Sequence, residues 1–201
     1  MDSFSEDQRR ELLRVVAGVR RAIEASVSLG APLAELTALA DRAHALAGAL
    51  EGRSGTKPIP RYHASIDPAD PNGMIPFSPV TGRYNPLSPP VEITLVPGPS
   101  PRVVGTVSFG QVYEGPPSSV HGALIASVYD QILALAAIAS DSAGPTATLT
   151  VHYRKMTPIG APLRFEAWIE RLDGRKAFAR GTCHAGEALV SEAEGMFVRM
   201  R

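Results

Sequence analysis

Cysteine is almost absent from this 201-residue chain, and neither sign of charge is in excess. The single Cys183 excludes an internal disulfide and any metal cluster held by several cysteines. Lys and Arg together number 20, as do Asp and Glu, so the formal net charge is zero with His neutral. With no net charge, the chain has no global electrostatic field that favours nucleic acid or an anionic membrane, so we expect neither as a partner. We also expect no metal.

The first residues also lack the basic and then apolar pattern of a secretory signal. They read MDSFSEDQRRELL, which is polar and acidic near its start. We therefore expect a cytoplasmic protein. The length suits one domain with an appendage, or two small domains.

Residues 1–52 have the periodicity of two helices. Ser5 and Gln8 stand at the spacing of a capping box, and a Gly-Ala-Pro break at residues 30–32 precedes a second helix at 33–50. Each helix carries an apolar stripe that needs burial. We predict a helical hairpin extension that covers part of the sheet or makes a contact between dimers.

Residues 53–90 are dense in proline, glycine and serine and have neither a helical nor a strand period. We predict a linking segment that is either an extended wrapping chain or a loop. Tyr62, Phe77 and Tyr84 would anchor it to the main domain, with part of a substrate channel as the alternative. The main domain is predicted at residues 91–201.

From residue 91 the apolar residues alternate, which is typical of strands. Between the second and third predicted strands lies an apolar run at residues 122–139 with one charge, Asp130. Hairpin signals such as Asp173-Gly174 indicate an antiparallel sheet, and the long helix needs a sheet to bury it. We predict an α+β domain in which a curved antiparallel sheet of about six strands wraps around one central helix. The predicted strands are 91–95, 103–109, 146–154, 163–172, 176–184 and 189–198.

The apolar run is long enough to raise the question of a membrane span. It is rich in Ala rather than Leu and carries Asp130 and Gln131 near its middle. A central Asp costs roughly 3 kcal/mol in a bilayer, so we expect a core helix and no membrane span.

Two features of this helix could carry chemistry. Asp130 is a lone carboxylate that needs hydrogen-bond partners or a function. His121-Gly122 stands where the helix begins, so Gly122 could present a free backbone N–H to a developing oxyanion, with a simple helix cap as the alternative. Nine residues put the two about 13 Å apart and on opposite sides of one helix. If both act on one small group, a second copy supplies one of them, and we expect a homodimer.

Polar residues on the predicted strands extend this set. Thr146 opens the strand after the helix, where its hydroxyl could orient a water beside the carboxylate or could simply suit a strand. The basic pairs Arg154-Lys155 and Arg175-Lys176 stand at strand ends. They could meet phosphates, or they could be solvated surface charges.

Four segments together resemble a known family. They are EGPPSSVHGALIASVYD, TATLTVHYRKMTPIG, DGRKAFARG and LVSEAEGMFV. In combination they resemble the hotdog-fold acyl-CoA thioesterases of the PaaI type, especially the branch of thioesterase superfamily members 4 and 5, over roughly residues 91–199. The resemblance implies a hotdog fold, hydrolysis of an acyl-CoA thioester, and an active site at a homodimer interface, with a tetramer as a further option. It implies no cofactor, because coenzyme A is part of the substrate.

The resemblance also implies roles for single residues. The backbone N–H groups at His121-Gly122 would polarise the thioester carbonyl. Asp130 of the partner subunit would act as general base or as nucleophile, and Thr146 would help hold the water. The two basic pairs would bind the phosphates of coenzyme A.

Gly115, Val120 and Ala123 would lie beside the substrate, and two of them depart from the family pattern. Many members read His-Gly-Gly where this chain has Ala123, and many have an Asn six residues before the His, where this chain has Gly115. The first adds a methyl group and the second removes a donor. These departures leave a second interpretation open, a non-catalytic acyl-CoA or lipid-binding hotdog protein. A hotdog hydratase or dehydratase ranks below both, because its pattern of Asp and His is not found.

Overall fold

The computed structural model describes residues 4–55 and 66–199, so the predicted anchor Tyr62 lies outside the described residues. The predicted order of two helices, two strands, one helix and four strands is confirmed. The elements are helices α1 (Glu6–Ser26), α2 (Leu33–Glu51) and α3 (Gly122–Ala139), and strands β1 (Glu92–Val96), β2 (Arg102–Val107), β3 (Thr146–Tyr153), β4 (Leu163–Asp173), β5 (Lys176–Ala185) and β6 (Ala188–Val198).

The six strands form one antiparallel sheet in the order β1-β2-β4-β5-β6-β3. The hairpins β4-β5 and β5-β6 turn at Gly174 and Gly186, whose φ angles of 56° and 57° favour glycine. β1 lies at one edge of the sheet and β3 at the other. The edge position of β3 matters for the site, because no other strand in residues 4–55 or 66–199 pairs with its outer row of N–H and C=O groups.

Helix α3 lies against the concave sheet and supplies most of the core. It contacts β2, β4 and β5 most closely. Tyr129 is fully buried, packs edge-to-face on Phe165 with ring centroids 5.2 Å apart, and shares a 3.0 Å hydrogen bond with Ser191. Among the described residues α3 is the one helix long and apolar enough to cross a membrane by length and composition. Its packing on the sheet is that of the predicted core helix.

The N-terminal helices are both present, with the predicted capping box of Ser5 and Gln8 at the start of α1. The two helices do not pack on each other as a hairpin within the described part of the chain. Pro32, which directly precedes α2, is extended and so continues the break between the two helices. Helix α2 buries none of its residues. The C-terminal half of α1 instead contacts a 3-10 turn at Gln111–Tyr113, just ahead of α3.

The described part of the proline-rich segment follows the surface of the sheet domain. This path is that of an extended wrapping chain, one of the two alternatives predicted for the segment. The side chain of Asn72 is buried and bonds the backbone of Thr81, Val91 and Ile93 at 2.8–3.1 Å. These bonds satisfy both ends of the amide inside the protein, where an unpaired polar group would be costly. The segment is thereby fixed beside β1.

Candidate active site

His121 is the N-cap of α3, and its bonds decide which amide at the helix start is free. Its ring Nδ1 accepts the N–H of Ala123 at 3.1 Å, and its own N–H donates to the carbonyl of Tyr113 at 2.9 Å. The N–H of Gly122 donates to no other described residue. Of the His121-Gly122 pair, Gly122 therefore offers the free donor, at the positive end of an 18-residue helix.

The loop before the helix explains two of the sequence-predicted residues. Gly115 lies against His121, where an added Cβ would stand 2.8 Å from the His121 Cα, so a larger residue does not fit without a shift. Its N–H donates to Ser119 at 2.9 Å and closes the loop. Val120 is buried in the core, with its N–H bonded to Thr157 at 2.8 Å. Gly115 and Val120 hold the loop in place, whereas Ala123 is exposed at the first helical turn.

Asp130 and Thr146 lie side by side, which is the first of the two alternatives that the sequence left open for Thr146. The Thr146 hydroxyl donates to Asp130 Oδ1 at 2.8 Å, and both residues are exposed. Within the described ranges, Asp130 has no ion pair, and no three His, Cys, Asp or Glu side chains are placed to hold a metal ion. The carboxylate is thus open to solvent and keeps a second oxygen for a water molecule.

Tyr153 is a residue that the sequence analysis did not assign to the site. Its hydroxyl donates to the carbonyl of Gly122 at 2.8 Å, and burial raises the pKa of the phenol, so it stays a donor. An added Cβ on Gly122 would stand 3.2 Å from this hydroxyl oxygen. The sequence signal was one aromatic at the end of an alternating strand, which does not reveal a contact with a helix 31 residues away.

The structure places the two chemical groups at opposite ends of β3. Gly122 lies beside Tyr153, the last residue of β3, and Asp130 lies beside Thr146, the first. Along α3 the groups are about 12 Å apart. One chain therefore does not bring them together, which is the separation that the spacing predicted.

The four predicted phosphate ligands are all exposed, and two are already paired. Arg154 forms an ion pair with Glu192 at 2.5 Å, and its hydrogen bond lowers the pKa of that carboxyl group. Arg175 donates twice to the backbone carbonyl of Arg199, at 2.9 and 3.1 Å. The side chain of Lys155 makes no hydrogen bond or ion pair within the described part of the chain, although its backbone N–H donates to the Val190 carbonyl at 3.0 Å.

The two basic pairs do not form one cluster in a single chain. The Arg154 N–H bonds the carbonyl of Val190, whereas Lys176 is paired with Val198. Eight residues of β6 separate these points, about 26 Å of strand. Arg154-Lys155 lie at the Gly122 end of β3, and the other pair lies at the Asp130 end.

A cavity of about 790 Å³ opens at the start of α3 and touches His121 and Ala123. Its other walls come from the end of α1, from the proline-rich segment and from the 3-10 turn. Asp130 and Thr146 do not line it. The cavity is therefore large and touches both neighbours of Gly122, although Gly122 itself does not line it. The sequence had offered Phe77 and Tyr84 as part of a substrate channel, but neither lines this cavity, and it had indicated no part for α1.

Known proteins resemble the part of the chain that carries these residues. The thioesterase superfamily pattern matches residues 118–191, which include the start of α3, Asp130 and Thr146. The acyl-coenzyme A thioesterase THEM4 of Xenopus laevis is 31% identical over 103 residues, covering 49% of this chain and 46% of that protein. The protein of the same name from Mus musculus is 29% identical over 101 residues, covering 49% and 44%. The chain thus spans a little under half the length of the curated relatives it matches.

Solved structures extend the comparison to the whole chain. The crystal structure of smu.793 from Streptococcus mutans, bound to acetyl CoA, has a TM-score of 0.50 at 20% identity, covers 55% of this chain and 90% of that one, and shares the fold. The crystal structure of protein RHA08564, a thioesterase superfamily protein, has a TM-score of 0.80 at 31% identity and covers 93% of this chain and 94% of that one. These comparisons confirm the predicted hotdog fold. Because the match to RHA08564 is this complete, the chain belongs to the thioesterase superfamily.

Proposed function

We propose that the protein is an acyl-CoA thioesterase, which hydrolyses an acyl-CoA thioester to a free acid and coenzyme A. The observation that carries the proposal is the free Gly122 amide at the positive end of α3, with an open carboxylate eight residues along the same helix. The names of the curated relatives support the reaction class.

The edge strand β3 supplies the geometry for a dimeric site. Its residues are exposed on most of its length, and its outer edge is unpaired in a single chain. Two copies related by a two-fold axis would pair these strands antiparallel, with the axis near residues 149–150. The Thr146 end of one copy then lies beside the Tyr153 end of the other, so that Asp130 of the partner subunit faces Gly122.

In this dimer the thioester carbonyl binds at the start of α3. The Gly122 N–H donates to the carbonyl oxygen as negative charge develops there, and such a donor contributes about 3 kcal/mol to the transition state. Thr146 and Asp130 of the partner subunit hold a water, and the carboxylate takes its proton as the oxygen attacks the carbonyl carbon. The C–S bond then breaks, and the proton passes to the departing thiolate. Direct attack by the carboxylate is the alternative first step.

One observation favours a second candidate, a non-catalytic acyl-CoA-binding protein. The methyl group of Ala123 lines the cavity at the first turn of α3, close to where the carbonyl would bind. In addition, the Ala123 N–H is occupied by the His121 ring, which leaves one backbone donor rather than two.

Thiol release from a panel of acyl-CoAs separates the candidates. We expect the wild type to hydrolyse at least one member, and Asp130→Asn to lose roughly 100-fold or more of kcat, because a general base contributes this much. Asp141→Asn is the matched control, since Asp141 is an exposed carboxylate just beyond α3. Full activity of Asp130→Asn would contradict its role. No hydrolysis by the wild type, together with acyl-CoA binding in calorimetry, would favour the second candidate.

A further inference from the structure

The cavity beside Gly122 is built within one chain from two distant parts of the sequence. One side comes from the first turns of α3 and the residues just before it, including Ser127 and Ser108. The facing side comes from α1, where Ile23 lies among the charged Arg20, Arg21 and Glu24, and from the apolar segment 79–90, which is rich in proline. At about 790 Å³ the cavity has the size of sites that enclose drug-sized organic ligands, far more than an acetyl group needs.

Helix α1 is held at this cavity by side chains that bond backbone groups of the sheet domain. The carboxylate of Glu24 accepts the N–H groups of Gln111 and Val112 at 2.7 and 3.4 Å. Gly110 makes room for it, because a Cβ there would stand 2.4 Å from a Glu24 oxygen. Arg20 donates to the Asn85 carbonyl at 3.0 Å and so ties α1 to the proline-rich segment as well.

The proline-rich wall is apolar and offers few donors to a ligand. Pro79, Pro86, Pro89 and Pro90 line the cavity and carry no N–H. The carbonyl of Leu87 accepts from the Tyr113 hydroxyl at 3.4 Å, and burial raises the pKa of that phenol. The wall is thus suited to hydrocarbon rather than to a polar or charged group.

We infer that this cavity is the acyl pocket, that α1 and residues 79–90 set its depth, and that the substrate carries an apolar acyl group much larger than acetyl. This inference rests on the proposed function. The carbonyl carbon lies at the mouth beside Gly122, and the acyl group extends towards α1. The partner's carboxylate approaches from the open side, because the wall formed within one chain does not include Asp130.

Ile23 provides the test, because it lines the cavity and lies on α1, away from the groups assigned to the reaction. We expect Ile23→Trp to fill the inner part of the pocket. The ratio of kcat/KM for dodecanoyl-CoA to that for acetyl-CoA should fall about tenfold or more, since a steric change of this size in an apolar pocket discriminates by that factor. Phenylacetyl-CoA in the same panel shows whether the preferred apolar group is a chain or a ring.

Two further variants keep the result interpretable. Ala22→Trp places the same indole on the exposed side of α1 and should leave the ratio unchanged. Ile23→Ala deepens the pocket and should move the ratio in the opposite direction, which a folding defect would not do. An unchanged ratio in both Ile23 variants would overturn the inference, as would an equal loss for all substrates in a folded Ile23→Trp protein.

Failure of the proposed function gives a different result. If the wild type hydrolyses none of the thioesters, the reaction is wrong, and calorimetry with dodecanoyl-CoA then tests the pocket alone. Weaker binding by Ile23→Trp, with wild-type binding by Ala22→Trp, would still support the pocket. Equal binding by all three proteins would overturn it.

Discussion

At the scale of single residues, Tyr153 and Gly122 form the contact that fixes the start of α3 on the end of β3. We expect Tyr153→Phe to lower the free energy of unfolding by about 1 kcal/mol, because one hydrogen bond to the Gly122 carbonyl is lost. The value of kcat should fall more than KM rises, since the Gly122 amide loses its position without losing the pocket. Urea unfolding and steady-state kinetics measure both. Tyr84→Phe is the control, and equal effects of the two substitutions would count against this role.

The lone cysteine leads to a second prediction at this scale. Burial raises the pKa of the Cys183 thiol to about 12, although a hydrogen bond with Ser191 opposes the shift. A thiol whose pKa is higher in the folded state stabilises that state below pH 9.0, the ordinary pKa, and the contribution is lost as pH rises towards 12. We expect no alkylation of folded protein by iodoacetamide at pH 8 and rapid alkylation in urea, as measured by mass spectrometry. Modification of the native protein would contradict the buried position.

At the scale of elements, the seating of α1 depends on Gly110. Gly110→Ala would place a Cβ against the end of the Glu24 side chain, which can rotate away but then leaves the amides of Gln111 and Val112. We expect faster hydrogen exchange in α1, with little change in the amides of β4 and β5, because the sheet does not depend on α1. Gly98→Ala is a control at an open loop position. Unchanged exchange in α1 would show that Glu24 does not hold the helix.

A cluster of charged side chains links β2 to β4, and its contribution to the stability of the folded state depends on pH. Although partial burial raises the pKa of Glu166, hydrogen bonds from Arg102 and Arg164 outweigh it and lower the pKa below its ordinary value of 4.5. A lowered pKa stabilises the folded state above pH 4.5, and the contribution is lost as pH falls through the folded pKa. Glu166→Gln should therefore lower the melting temperature more at pH 7 than at pH 3. An equal fall in melting temperature at both pH values would exclude an ionic origin of the stabilisation.

The elements were predictable from the sequence because periodicity and turn residues are local signals. The strand alternation, the Asp173-Gly174 turn and the capping box of α1 all lie within a few residues of what they determine. The contact of Tyr153 with Gly122 depends on strand register. The contact of Glu24 with Gln111 depends on the path of the chain between two residues that are 87 positions apart. No local pattern encodes these, so the part of α1 in the cavity emerged only from the structure.

At the scale of the whole molecule, the proposed sharing of the active site between two subunits makes a quantitative prediction. Asp130→Asn and Gly122→Val each damage a different half of the site. A refolded equimolar mixture should regain about one quarter of wild-type activity, because half of the dimers are mixed and each has one intact site. Light scattering on each variant is the control that tests whether it forms a dimer. Activity no higher than that of the separate variants would contradict a shared site.

The exposed leucines of α2 belong to the same scale. They line one helix that buries none of its residues, and such a surface is typical of an assembly contact. A tetramer made through α2 stays a prediction. Leu39→Glu should reduce the particle to a dimer in light scattering, and an unchanged mass would exclude this contact.

The cavity is lined both by residues up to position 90 and by residues after position 107. If Asp130 acts from the partner subunit, a change in the first 90 residues alters which acyl group enters without touching the bonds made or broken. Selection for a new substrate can then act on the N-terminal helix and the proline-rich segment while the reaction is preserved. An exchange of this portion between related chains should transfer substrate preference and leave the chemistry in place.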